Sequence, residues 1–244
     1  MPSVSVCFPA FNEERTIEQV LHEAHKLLSA SDLVYEILVC DDGSSDRTGR
    51  IIDETAARLP QIRALHNLTN LGIRATFERL YRESSKDLVF LNSTDQQWET
   101  GVLFDLLPRM DNFDIVIASR NNKHYGPTRR FVSWIFNLIP RVLFGVKTYD
   151  AGAVKLVRRE IIERFELVSL SPFSEAERLI RAARAGYRIT TYPVNVAERR
   201  TGQARGVTLS AVTQALRDLV FVWWDLRINR SADGSKDEQR SGTL

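Results

Sequence analysis

Short β-branched runs alternate with amphipathic helical stretches through the first half of this chain, and that alternation leaves few folds open to it. Apolar runs fall at residues 4–8, 34–40, 62–66, 88–92 and 115–119. Between the first two, Ile17, Val20, Leu21, Ala24, Leu27 and Leu28 recur at spacings of three and four, the period of one helix face. Residues 46–59 repeat the pattern with Ile51, Ile52 and Ala56, and residues 75–81 read as a further helix. Strands alternating with helices build βαβ units. The expected fold is therefore α/β, a mostly parallel central sheet flanked by helices. In such sheets ligands bind beyond the carboxyl ends of the strands. The polar clusters at 9–14, 41–48 and 93–98 follow the first, second and fourth strands, so three separate loops are expected to converge on one edge.

The second half is less regular. Residues 129–143 read as an apolar helix with basic ends, and 174–185 as a helix with Ser171 or Ser174 as its cap and Gly186 as its stop. A strand is expected at 188–194, a basic glycine-containing loop at 199–206 and a helix at 208–228. Residues 231–244 hold almost no apolar side chains. The expectation is one domain over 1–228 and a disordered tail over 229–244.

Composition narrows the function classes. With 244 residues, 43% apolar and 26% charged, the chain is long enough for one large core and argues for neither disorder nor a membrane span. A formal net charge of +2 predicts no nucleic-acid partner. Cys7 and Cys40 both sit in apolar runs and read as reduced, buried strand residues of a cytosolic protein. The N-terminus shows no basic stretch followed by an apolar one, so no secretory signal is expected. The longest apolar stretch, 131–144, is interrupted by Ser133, Asn137, Pro140 and Arg141, so no transmembrane helix is expected.

Residues 41–48 read Asp-Asp-Gly-Ser-Ser-Asp-Arg-Thr. A strand delivers two adjacent carboxylates, then a glycine turn, then a helix capped by Ser45 or Asp46. Carboxylates at a strand end can accept hydrogen bonds from a base or ribose; the plainer alternative is a turn with solvated acids. In Phe8-Pro9-Ala10-Phe11-Asn12-Glu13-Glu14, proline ends the strand and leaves a rigid loop. Asn12 is placed to cap the next helix, with Glu13 and Glu14 in its first turn near the positive dipole end.

Together the two motifs resemble family 2 glycosyltransferases of the GT-A fold, nearest to the polyprenyl- and dolichyl-phosphate sugar synthases. Pro9 to Glu14 matches the family's Pro-Ala-Tyr-Asn-Glu-Glu with Phe11 for Tyr, and Asp41 to Thr48 meets its Asp-Asp-Gly-Ser-x-Asp-x-Thr in full. The resemblance extends over about residues 3–206. It implies that Pro9, Ala10, Glu13, Asp41 and Asp42 hold the base and ribose of a GDP- or UDP-sugar, with Asn12, Ser93 and Arg205 also on the donor. The family carries Asp-x-Asp-x-Gln after the fourth strand. Here the stretch is Ser93-Thr94-Asp95-Gln96-Gln97, so Asp95 and Gln97 are the implied ligands of a divalent metal, Mg²⁺ or Mn²⁺, and Ser93 replaces the first acid. One or two carboxylates suffice for Mg²⁺ beside phosphate and water oxygens.

The resemblance also implies the acceptor. A phosphate is already an anionic nucleophile and needs cations rather than a base, and arginine suits it through its planar fork. Arg120 matches the subgroup's Gly-Ser-Arg, Arg129 and Ser133 its Arg-x-x-x-Ser, and residues 199–205 its Arg-x-x-Gly-x-Ser-Lys loop, with Ala204 in place of the serine and Arg205 keeping the charge. Asp95, Arg120, Arg129, Ser133 and Arg199 are thus the implied catalytic set, acting on a polyprenyl phosphate by inverting transfer. A saccharide or small-molecule hydroxyl acceptor would need a general base, for which Glu175 and Glu177 are available. A nucleotide-binding relative without transfer activity is the third reading, motivated by Ser93. The aromatic-rich 131–139 stretch and the stripe ending at Trp223 and Trp224 fit either a lipid interface or burial. The expected location is cytoplasmic and peripheral at the membrane face, with a homodimer or a membrane-anchoring partner left open.

Overall fold

The computed structural model describes residues 2–94, 98–120, 138–148, 153–195 and 209–228. Strands β1 (Val4–Ala10), β2 (Tyr35–Asp41), β3 (Ile62–His66), β4 (Leu88–Leu91) and β5 (Ile115–Arg120) fall where the apolar runs place them. β7 (Ile189–Val194) does as well. β6 (Lys155–Arg158) is not legible beforehand, because four residues with a charge at each end carry no usable alternation. The seven strands form one sheet in the order β3-β2-β1-β4-β6-β5-β7. β6 runs antiparallel between β4 and β5, and the other pairings are parallel. β1 and β4 are buried on both faces, as continuous apolar strands of a parallel sheet are.

The helices are α1 (Ile17–Ser29), α2 (Thr48–Arg58), α3 (Ile73–Glu83), α4 (Val102–Leu106), which runs into a 3₁₀ turn at Leu107–Asp111, α5 (Arg159–Arg164), α6 (Ser174–Arg184) and α7 (Leu209–Ile228). Residues 138–144 are also helical, while the earlier part of the expected 129–143 helix and the expected tail lie outside the described residues. α1 turns Ile17, Val20, Leu21, Ala24 and Leu28 inward at helical spacing. α2 begins at Thr48 rather than at residue 46, because Asp46 uses its carboxylate to accept the Thr48 amide at 2.9 Å ahead of the first turn. Ser171 works one turn ahead of α6: its hydroxyl accepts from the Phe173 amide at 3.2 Å. Gly186, at φ +87°, follows the end of that helix.

The core lies on both sheet faces. The larger cluster joins Val4, Val6, Phe8, Ile37 and Val39 to α1, Ile52 and Leu103. The opposite face packs Cys7, Leu38, Cys40, Val89 and Leu91 against Leu80 and Tyr81 of α3. Both cysteines are buried free thiols, and burial pushes Cys7 up to about 12 and Cys40 up to about 11, so neither is a nucleophile at neutral pH. The strand order places α1 and α3 on opposite faces about the β1–β4 boundary. That boundary is a topological switch point, where the chain leaves a crevice at the carboxyl ends.

Candidate functional site

The crevice at the switch point is a cavity of about 230 Å³ whose lining includes Pro9, Ala10, Phe11, Glu13, Asp42, Asn70, Gly72, Ser93 and Thr94. Its walls come from the ends of β1, β2 and β4 and from the loop before α3, so the expected convergence of three loops holds. Thr94 closes the floor by donating to the Pro9 carbonyl at 3.1 Å. A second hollow, of about 620 Å³, opens beyond Ser93 between α1 and residues 98–101. Ser93 therefore stands in the wall between two spaces.

The first two loops are laced to each other by their polar side chains. The Asn12 amide donates to Ser44 Oγ at 2.9 Å, and Asn12 Oδ1 accepts the Ser45 amide at 2.9 Å. The Glu13 amide donates to Thr48 Oγ1 at 2.8 Å and the Glu14 amide to Asp46 Oδ2 at 3.3 Å. Arg47 Nε returns a bond to Glu14 Oε2 at 3.1 Å. Burial pushes the Asp46 carboxyl up, but the Thr48 hydroxyl and amide outweigh it and hold it below the ordinary range. Ser44, Asp46 and Thr48 thus serve the motif by fixing the neighbouring loop. This corrects the capping expectation: Thr16 precedes α1, and Asn12, at φ +55°, faces the other loop. Glu13 and Glu14 lie in the turn before the helix, where the Glu13 carbonyl accepts the Thr16 and Ile17 amides at 3.0 Å.

The adjacent carboxylates do different work. Asp41 turns toward the first turn of α2: its Oδ1 accepts the Ser44 amide at 3.1 Å and its Oδ2 lies 3.5 Å from His66 Nδ1. Gly49 permits this, since a Cβ there would meet Asp41 Oδ2 at 2.6 Å. Asp42 faces the cavity, yet Asn67 Nδ2, the Leu71 amide and the Gly72 amide all donate to it, at 2.7, 3.0 and 2.9 Å. Its carboxylate pins the 67–72 loop to the strand end. That loop is the wall that sequence reasoning missed; its signal was the Asn-rich, glycine-ended stretch after β3.

Gly43 lets the same loop come close. It has φ +68°, and a Cβ there would sit 2.4 Å from the Thr69 carbonyl carbon and 2.7 Å from the Asn70 amide nitrogen. Gly43→Ala meets both a left-handed backbone cost of about 1–2 kcal/mol and a backbone clash that must move the loop. The expected result is a loss of nucleotide affinity of about tenfold or more, read by calorimetry beside a urea unfolding curve. Unchanged affinity would remove the 67–72 loop from the site.

Arg120 ends β5, and its guanidinium carbon lies 5.3 Å from the centre of the Trp98 ring, within cation–π range. Trp98 is buried and lines the second hollow, a contact the polar 93–98 cluster did not advertise. Asp95, Gln97, Arg129, Ser133, Arg199 and Arg205 lie outside the described residues.

Behind the β4 end sits a buried ionic cluster. Lys155 pairs with Leu91 and Ile117 in register, and its Nζ bonds Glu175 Oε2 in the first turn of α6. Tyr81 on α3 donates to the same oxygen at 3.0 Å, and Arg178 lies 4.4 Å over the Tyr81 ring and reaches Glu78. Burial raises the Glu175 carboxyl, but the Lys155 and Arg178 charges win and hold it below its ordinary value of 4.5. A lowered folded value means the stabilisation is present above 4.5 and is lost as pH falls through the lower folded value. Lys155→Met strands the Glu175 charge and is expected to cost about 3–5 kcal/mol in denaturant unfolding, part of it recovered by adding Glu175→Gln. A cost under about 1 kcal/mol would contradict this. Glu177 is fully buried, and its two oxygens accept the Val168 and Ser169 amides at 3.0 and 2.8 Å. Neither glutamate is free to serve a hydroxyl acceptor as a base.

Residues 5–165 match the model of Glycosyl transferase family 2. The chain belongs to this family. It is 27% identical over 240 residues to an undecaprenyl-phosphate mannosyltransferase of Micrococcus luteus, covering 92% of this chain and 97% of that protein. It is 29% identical to the glycosyltransferase AglD of Haloferax volcanii, covering 92% of this chain but 38% of AglD. Among solved structures it resembles glucosyl-3-phosphoglycerate synthase from Mycobacterium tuberculosis in complex with Mg²⁺ and UDP. The TM-score is 0.71 at 19% identity, over 91% of this chain and 79% of the other, which shows a shared fold. The expected α/β fold of the GT-A type and the glycosyltransferase family reading therefore both stand.

Proposed function

We propose that this family 2 glycosyltransferase moves a sugar from a GDP- or UDP-sugar to a polyprenyl phosphate, at a membrane surface. The observation that carries the acceptor is the end-to-end match to the Micrococcus luteus relative, which spans 97% of that protein. The cavity at the switch point carries the donor. Pro9, Ala10, Glu13 and Asp42 line it and face the base and ribose, while Asn12 and Asp41 hold the loops that shape it.

A divalent metal fits this site on a limited donor set. Among the described residues, no group of three His, Cys, Asp or Glu side chains gathers to hold one. Ser93 lines the cavity where the family motif has its first acid, so an oxygen is present there, although not a charged one. Asp95 and Gln97 would hold Mg²⁺ or Mn²⁺ together with diphosphate and water oxygens. When bound, the cation supplies neutralisation of the charge that builds on the departing diphosphate.

The chain's own part is positioning. Arg120, with Arg129, Ser133 and Arg199, holds the acceptor phosphate, and Arg205 steadies the donor diphosphate. A phosphate oxygen attacks the anomeric carbon as the bond to the nucleoside diphosphate breaks, and the configuration inverts. No proton has to be removed from an ionised phosphate, which fits the burial of Glu175 and Glu177 in contacts away from the cavity. No helix among the described residues is long and apolar enough to cross a membrane, and the proposal places the protein peripherally at the cytoplasmic face.

Comparing polyprenyl phosphate with the matching polyprenol as acceptors tests the proposal. Transfer to the phosphate alone is expected. Transfer to the alcohol would favour a hydroxyl acceptor, and nucleotide binding without any transfer would favour a binding protein.

A further inference from the structure

α7 is apolar on two sides. One side packs Leu219 and Val222 with Phe173, Ala176 and Ile180, and with Phe144 of the 138–144 helix. The other side shows Leu216, Val220, Phe221 and Trp224 to solvent, with Val220 and Trp224 60% exposed and Phe221 50%. These residues lie three and four apart, so they form one stripe. Beside it, Leu170 is 69% exposed, and a groove of about 400 Å³ runs between Val168, Leu170, Phe221 and Trp224, with Arg217, Asp218 and Asp225 also in its lining. A helix that is apolar all round is normally covered on all sides. Large apolar side chains held together on one face are an interaction site.

The charges on α7 say what covers it. Its two aspartates lie in the wall of the groove but are engaged within the protein: Asp218 is buried and accepts the Leu170 and Ser171 amides at 3.1 and 2.8 Å, and Asp225 pairs with Arg181. Its two arginines stay exposed at the margins of the stripe. Arg217 lies 5.3 Å over the Phe221 ring and Arg227 4.1 Å over the Trp223 ring, so each stem follows apolar surface while the charge remains in water. The adjoining 138–144 helix repeats the composition, exposing Val142 and Leu143 beside Arg141. An apolar, aromatic stripe beside the exposed Arg217 and Arg227, on a helix whose two aspartates are already engaged, is complementary to a bilayer surface bearing anionic headgroups.

We propose that the outer face of α7, with the 168–170 segment, docks the protein on an anionic lipid bilayer. The inference rests on the lipid-phosphate reading for its purpose, since a lipid-borne acceptor is met only at a membrane. Its physical basis is the stripe itself.

The test uses the full chain and two vesicle types, phosphatidylcholine alone and phosphatidylcholine with phosphatidylglycerol. The wild type is expected to float with the anionic vesicles. Phe221→Ser with Trp224→Ser should weaken that binding about tenfold or more, and Arg217→Glu with Arg227→Glu should abolish the preference for phosphatidylglycerol. Val220→Ser is a milder variant should the double one fail to fold. Transfer to a short, water-soluble polyprenyl phosphate should be unchanged in every folded variant, while transfer to a vesicle-embedded acceptor falls. A wild type that ignores anionic vesicles, or a folded variant that still binds them fully, overturns the proposal. A variant that turns a dimer into a monomer without changing vesicle binding assigns the face to a second copy. A lowered melting temperature with unchanged flotation assigns it to another segment of this chain. Vesicle binding that survives while no lipid phosphate is glycosylated would sink the acceptor reading and leave the docking face standing.

Discussion

Replacing Asp95 with alanine is expected to cut sugar transfer by about 10³-fold or more while leaving unfolding within about 0.5 kcal/mol of the wild type. The reason is local scarcity. The family motif supplies two carboxylates, and in this chain Ser93 stands for the first of them. Asp42 offers no substitute, because three donors from residues 67–72 already occupy its oxygens. On the proposed reading Asp95 is the carboxylate on which metal binding depends, and a factor of 10³ corresponds to about 4 kcal/mol of lost transition-state stabilisation. Initial rates with saturating Mn²⁺ check this, alongside thermal unfolding. A variant that keeps full activity would remove Asp95 from the site. Ser93→Asp is the complementary change, and tighter Mg²⁺ binding is its expected outcome.

Asp42→Ala should fail differently, in stability and donor affinity together. It removes the acceptor of three hydrogen bonds, two of them from backbone amides, at a charged group that is 4% exposed. Hydrogen bonds to charged groups contribute about 1.5–3 kcal/mol each. Solvent can replace part of the loss at the exposed loop, so a net cost of about 2–4 kcal/mol is expected in urea unfolding. Released from its clamp, the 67–72 loop no longer walls the cavity, and nucleotide affinity should fall by at least about tenfold. Asp42→Asn tests the same point, because its amide nitrogen cannot accept from the donors that now converge there. An Asn variant with unaltered affinity and stability would mean that the loop holds itself.

These two residues show where sequence reading succeeds. The parallel core strands are continuous apolar runs, so β1 to β4 and the helices between them are visible in the pattern, and with them the edge where the loops meet. The motif of residues 41–48 also falls at that edge, where Asp42 lines the cavity. What pattern cannot show is which partner a polar side chain finds across the chain. Asn12 reads as a cap and instead accepts from Ser45. Asp41 and Asp42 read as a pair, but Asp41 turns toward α2 while Asp42, at the cavity, also clamps the 67–72 loop. Glu175 and Glu177 read as acids on a helix face that could act as bases, and both are buried in tertiary contacts with Lys155 and with the 168–169 backbone. β6 escapes for the same reason, since Lys155 belongs in a strand only because Glu175 and Tyr81 receive its charge.

The most direct measurement mixes the purified chain with Mn²⁺ or Mg²⁺, GDP- and UDP-sugars and a polyprenyl phosphate, and weighs the lipid by mass spectrometry. The account predicts a lipid heavier by one sugar residue, formed from a single nucleotide class and lost when the metal is chelated. Sugar transfer that proceeds undiminished in chelator, or that never reaches the lipid phosphate although the nucleotide sugar binds, would contradict it.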